Sequence, residues 1–202
     1  MIPSTANGMA AMECVSAMQK CIRRGLEREA MEFAVEMIHT SKSFFTMVCN
    51  RLEVTCHEDI DTISQPWIPS FVHSTIEAAR AHYKPEKPQE ARLMIGNVIR
   101  LLSRATKSRE GCHFSASVGL KAQQDGFKPD VPDWAKDMHT LAGRRLGRGL
   151  GHFLSEGAKL VPPAKPDAYE AEAVKQWERK YAKSKPEFDG DGEDSNGQTK
   201  LF

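Results

Sequence analysis

An all-α fold, a multi-helix bundle with a polar tail, follows from three observations on this chain of 202 residues. Apolar residues recur every three or four positions from Cys14 to Tyr181, the period of one helix face. Gly25 and the prolines at 66, 85, 88, 162, 163 and 166 fall between those stripes, where helices stop. No stretch alternates apolar and polar residues convincingly enough for a sheet strand. Hydrophobic residues make up 40% of the chain, enough for one core, and its length suits one domain with tails.

The elements follow in order. Residues 1–9 read as a flexible leader. Cys14, Met18, Cys21 and Ile22 share a first helical face, and Ala30, Phe33, Ala34, Met37 and Ile38 a second. Arg23-Arg24-Gly25 between them suits a helix stop with basic residues in the last turn. A third stripe, Phe45, Val48, Cys49, Leu52 and Cys56, runs up to His57-Glu58-Asp59-Ile60. After Gln65-Pro66, a fourth helix carries Ile68, Phe71, Val72, Thr75, Ala79 and Tyr83, and Pro85 and Pro88 end it. Residues 89–105 are apolar over a wide face and so central. Another helix is expected over 112–124, then a loop from Gly126 to Asp133. Trp134, Met138, Leu141, Leu150, Phe153 and Leu154 mark a further helical region. The helical body is thus expected over 10–160, with a proline-rich linker and a charged helix over 161–185. An acidic, disordered tail fills 186–202, because Glu187 to Gly197 has too little apolar content to fold alone.

Composition excludes several function classes. A formal charge of +1 gives no global argument for nucleic acid, although the acidic tail masks a more basic interior. Five cysteines, Cys14, Cys21, Cys49, Cys56 and Cys112, form no Cys-x-x-Cys pair; with no signal peptide they fit a reducing, cytoplasmic setting. No apolar run approaches the roughly 20 residues that span a bilayer, so no membrane partner is expected. No zinc spacing, phosphate-binding Gly-x-x-x-x-Gly-Lys-Ser/Thr loop, Gly-x-Ser-x-Gly elbow, His-Glu-x-x-His pair or dinucleotide fingerprint occurs. The expectation is a protein that is not an enzyme and holds no cofactor or metal.

Two groups of charged residues remain. Gly143, Gly147 and Gly151 are four apart; on one helix they would make a flat stripe with Arg144 and Arg148 together beside it and Arg145 near Arg148. That cluster could grip DNA phosphates. Alternatively the glycines break the helix, and the arginines pair with carboxylates such as Asp133, Asp137 and Glu156. Arg100, Arg104, Lys107 and Arg109, like Arg23-Arg24, read as solvated helix ends. Glu58, Asp59 and Asp61 could hold Mg²⁺ or form an acidic turn. His139 and His152 read as packing or surface histidines.

The segment Gln198-Thr199-Lys200-Leu201-Phe202 places two bulky hydrophobes after the acidic tail. The order Gln-x-x-Leu-Phe resembles the short peptide by which bacterial replication and repair proteins dock on the DNA sliding clamp. The resemblance implies that Leu201 and Phe202 fill a pocket, each contributing about 1.5–3 kcal/mol on full burial, while the Gln198 amide fixes register. Ordering the tail offsets part of that gain, so affinity on the order of micromolar is expected. The other reading is a frayed end carrying accidental hydrophobes.

The body carries a second resemblance. Ser16 through Gly25 with the helix to His39, then Arg51-Leu52 with Glu58-Asp59-Ile60, then Asp137-Met138-His139-Thr140, Gly143 through Gly149 and His152-Phe153 to Glu156-Gly157-Ala158 are the segments concerned. They resemble the C-terminal region of clamp-loader-like AAA+ ATPases of the replication-associated recombination, or maintenance-of-genome-stability, type. The likeness implies a helical collar that assembles subunits beside a DNA-bound ATPase ring, here without the ATPase half. It implies partnership with an AAA+ ATPase, a replisome component or further copies of the chain, in a bacterial or phage setting.

Overall fold

The computed structural model describes residues 3–165 and 167–183, and what it describes is helical, with no strand beyond two isolated bridges. Six helices come first: α1 (Ala11–Arg23), α2 (Glu27–Ile38), α3 (Lys42–Asp59), α4 (Ile68–His82), α5 (Gln89–Arg104) and α6 (Glu110–Ala122). Short pieces follow: a 3-10 turn Asp133–Ala135, α7 (Leu141–Arg145), and α8 (Leu150–His152) running into a π turn Phe153–Gly157. The last helix is α9 (Glu170–Lys183). The chain divides into two units, Met1–Phe127 and Lys128–Phe202, a division that falls inside the 10–160 span read from the sequence as one body.

The first unit holds the core. Its buried apolar side chains all lie between Ala11 and Leu102 and include most of the stripes expected on α1 to α5; Cys21, Phe33, Thr75 and Tyr83 are partly buried, and Phe71 of the expected fourth stripe is exposed. Helix α1 packs on α2, α3 and α5, and α3 also meets α4 and α5. Tyr83 closes one end: its ring stacks on Phe45 with centroids 4.1 Å apart, and its hydroxyl donates to the Ile38 carbonyl at 3.0 Å. Cys14, Cys49 and Cys56 are buried on these faces, and burial pushes the Cys49 thiol up to about 12 and the Cys56 thiol to about 11. The thiols therefore act as small apolar groups.

Gly25 ends α1 as expected. Its φ is +76°, and the amides of Gly25 and Leu26 donate to the carbonyls of Ile22 and Cys21, the paired closure of a Schellman motif. The leader behaves differently from the expectation. Residues 3–9 form a tight turn in which the Thr5 amide donates to the Met9 carbonyl and the Ala11 amide to the Pro3 carbonyl. The turn is pinned to α2, because the amide and side chain of Asn7 both donate to Glu36 and the Ala6 amide donates to Thr40 Oγ1. Small polar side chains supply these bonds, and no apolar period announces them.

Arg104 at the end of α5 is not simply solvated: it grips Glu27 with two bonds of 2.7 Å. The hydrogen bond from Arg104 holds the Glu27 carboxyl below its ordinary value of 4.5. A lowered folded-state value means that the contact contributes above that ordinary value and is lost as pH falls through the folded-state value. Acid titration of unfolding should therefore show Glu27→Gln less stable than the parent at neutral pH, the gap closing in the acid range; an unchanged gap would contradict the assignment.

In the second unit no apolar side chain among the described residues is buried; Trp134, Leu141, Leu146 and Leu160 are exposed. Polar contacts and backbone turns hold its short elements.

Candidate functional site

The segments that carry the family resemblance gather into two clusters, one in each unit. In the first, α1 contributes Gln19 and Arg23, α3 contributes Arg51, Glu58 and Asp59, and the α5–α6 connection contributes Lys107 and Arg109. Asp59 is fully buried. Its Oδ2 accepts from Arg23 Nη2 at 3.0 Å and from Gln19 Nε2 at 2.9 Å. Arg23 Nε lies 2.9 Å from Asp59 Oδ1 but is not aligned for a hydrogen bond, so that contact is electrostatic. Glu58 accepts from Gln19 at 2.9 Å, from Arg109 at 3.2 Å and from Arg23 at 3.4 Å. Arg51 completes the ring by donating to Gln19 Oε1 at 3.2 Å.

The backbone follows the same path. The Ser108 amide donates to the Asp59 carbonyl and the Asp61 amide to the Thr106 carbonyl. Lys107 Nζ turns inward and donates to the carbonyls of Leu102, Ser103 and Ala105 at 2.8–2.9 Å, capping α5. Burial lowers its pKa, and the nearby Asp59 charge opposes that shift. Asp61 stands apart, its carboxylate accepting from Ser64 and from the amides of Ile63 and Ser64. Glu58 and Asp59 thus face guanidinium groups, not a site open to Mg²⁺. Among the described residues no group of three or more His, Cys, Asp or Glu side chains is placed to hold a metal.

The second cluster centres on Asp137. Its Oδ1 accepts from the His139 amide at 2.9 Å, and its Oδ2 faces His139 Nδ1 at 3.1 Å. That side-chain bond holds the Asp137 carboxyl below the usual carboxylate range. The Asp137 carbonyl accepts from the amide and hydroxyl of Thr140, and Thr140 Oγ1 accepts from the Gly143 amide at 3.0 Å, capping α7. The His139 ring stands edge-on to Phe153, centroids 4.9 Å apart. Among the described residues no hydroxyl or thiol is bonded to His139, whose only polar side-chain partner is Asp137 Oδ2.

The three glycines do not make a stripe. Gly147 has φ +68°, and the amides of Gly147 and Arg148 donate to the carbonyls of Arg144 and Gly143, which closes α7 after one and a half turns. Gly143 is needed for a different reason: a Cβ there would lie 1.8 Å from the Asp137 carbonyl oxygen. The glycines break the helix, which was the alternative reading.

The arginines then part company. Arg148 donates to the Asp133 carboxylate at 2.6 Å and to the carbonyls of Asp133 and Lys136 at 2.7 and 3.0 Å, the pairing with Asp133 foreseen as the structural option. Arg144 and Arg145 are exposed and have no side-chain partner among the described residues. Gln198, Leu201 and Phe202 lie outside the described residues.

Sequence reasoning missed the first cluster, although a signal existed. Asp59 continues the stripe of Leu52 and Cys56 at helical spacing, as Arg23 follows Ile22 at the other end of the network. A carboxylate in register with a buried face needs a cation, and α1 ends in one.

No protein-family model matches the chain, and no curated protein matches it.

Proposed function

We propose that this protein is a non-enzymatic accessory factor of DNA replication or repair. Its helical body assembles with itself or with an AAA+ ATPase or other replisome component, and its tail docks on the bacterial DNA sliding clamp through Gln198, Leu201 and Phe202. The observation that carries this reading is the segment Gln198-Thr199-Lys200-Leu201-Phe202 after the acidic run from Glu187. By composition, acidic and poor in apolar residues, the segment from Lys185 to Gln198 reads as a linker, and a linker of roughly 13 residues reaches about 20 Å, enough for body and clamp to engage neighbouring DNA together. A scaffolding role for the body is supported by its motif residues, which satisfy one another in two polar networks, one in each unit.

Replacing Leu201 and Phe202 together by alanine should weaken binding to the clamp at least about 100-fold, the loss of two buried apolar side chains. Helicity by circular dichroism should not change. Equal clamp binding by the parent and the doubly substituted protein would remove the proposal.

A second reading is a DNA-binding regulator with no clamp role, and the exposed, unpartnered Arg144 and Arg145 favour it. It requires strong, salt-dependent DNA affinity. Replacing both arginines by alanine should then flatten the dependence of log affinity on log salt by up to about two. An unaltered slope would contradict it.

A further inference from the structure

We infer that α6 pairs antiparallel with α6 of a second copy of this chain. This rests on the self-assembly part of the reading above and not on the tail. The helix cannot stand by itself: it has 13 residues, including Gly111 and Gly119, Ser115 and Ser117 and β-branched Val118, and none of them is buried. Isolated helices of about 12–15 residues are marginal in water even with better formers. Its one neighbour among the described helices is α3. Gly111, Cys112, Ser115 and Ala116 lie on that side and line a cavity of about 640 Å³ shared with α3.

The other side holds the argument. At about 100° per residue, Glu110, Phe114, Val118 and Lys121 fall within about 80° of arc. Phe114 is 71% exposed and Val118 50%. The stripe therefore has an acid at one end, a base at the other and two apolar side chains between. Neither charge has a side-chain partner among the described residues.

Such a stripe is self-complementary in only one sense. A two-fold axis near Ser115 and Ala116 sets Glu110 opposite Lys121 of the partner subunit and Phe114 against Val118 of the partner subunit, and the symmetry repeats both contacts. A parallel pair would instead oppose Glu110 to its own copy and Lys121 to its own copy, which is repulsive. Gly111 and Ser115 keep α6 slim where it meets α3. The stripe stays clear of that contact.

Sedimentation equilibrium of the full-length protein over a wide micromolar range tests this. The parent chain should self-associate. Phe114→Ala and Val118→Glu should each weaken association at least about tenfold, as expected for central apolar contacts. Glu110→Lys alone and Lys121→Glu alone should each weaken it about three- to tenfold, and the double exchange should restore it to within about twofold, because rim charges set register. A protein that is monomeric throughout overturns both the pairing and the self-assembly reading. Association unmoved by Phe114→Ala and Val118→Glu leaves self-assembly standing and overturns the α6 face. A double exchange that stays weak overturns the antiparallel register.

Discussion

Arg23→Ala should cost the first unit about 3 kcal/mol, because it strips the main cation from a buried carboxylate. Asp59 is fully buried, and Arg23 reaches both of its oxygens, at 2.9 and 3.0 Å. What would remain is the neutral Gln19 amide at 2.9 Å and Arg109 Nε at 3.7 Å, too distant for a hydrogen bond. Thermal unfolding followed by circular dichroism should shift down by roughly 10 °C for a unit of this size. Asp59→Asn should cost less, since the half-buried Arg23 can return to water and Glu58, while the buried charge disappears with its partner. The double substitution should lose less than the sum of the two, the mark of a direct pair. If Arg23→Ala and Asp59→Asn each shift the melting temperature by under about 2 °C, the network does not join α1 to α3 as described.

Gly143→Ala should disrupt the second unit with little effect on the melting of the first. The new Cβ would stand 1.8 Å from the Asp137 carbonyl oxygen and 2.5 Å from both the Asp137 carbonyl carbon and the Lys136 carbonyl oxygen. These are backbone atoms, so no rotamer relieves the clash, and α7 must leave its seat. The cap from Thr140 to the Gly143 amide would break with it. With no buried apolar side chain to compensate among the unit's described residues, local opening should become easy. Limited trypsin digestion reads this directly, because Lys136, Arg144 and Arg145 flank the contact. Cleavage there should accelerate at least about tenfold. Gly147→Ala should be milder, costing about 1 kcal/mol for an alanine held at positive φ. Digestion of Gly143→Ala at the parental rate would contradict the close approach.

Helices α1 to α5 of the first unit were legible because each buries an apolar stripe, and helical period is a strong signal. Five stripes from Cys14 to Leu102 became five helices, with Gly25 as a stop between the first two. The second unit was less legible for a physical reason. Its last helix, α9, was expected, but the elements between Asp133 and Gly157 are too short for any period to show, and their order comes from single polar contacts, such as Thr140 to Gly143 and Arg148 to Asp133. Glycines at 143, 147 and 151 share a helical spacing, yet one is demanded by a backbone approach and another by a left-handed turn. The charged residues were hardest to place. Arg23, Arg104 and Arg109 look alike as basic residues near helix ends, and only the folded chain shows that Asp59, Glu27 and Glu58 await them. Similarly, the turn at residues 3–9 depends on Asn7 meeting Glu36, a contact that leaves no mark on local sequence.

Both halves of the functional proposal meet at the tail, whose aliphatic-aromatic pair must enter a pocket on the clamp. The most direct measurement is calorimetric titration of a bacterial sliding clamp with the full-length protein and, side by side, with a peptide covering residues 187–202. The account predicts affinities on the order of micromolar for both, competition between them for one site, and no heat from a peptide with Leu201 and Phe202 replaced by alanine. A clamp that binds neither, or that binds the full-length protein equally well after both replacements, would contradict it.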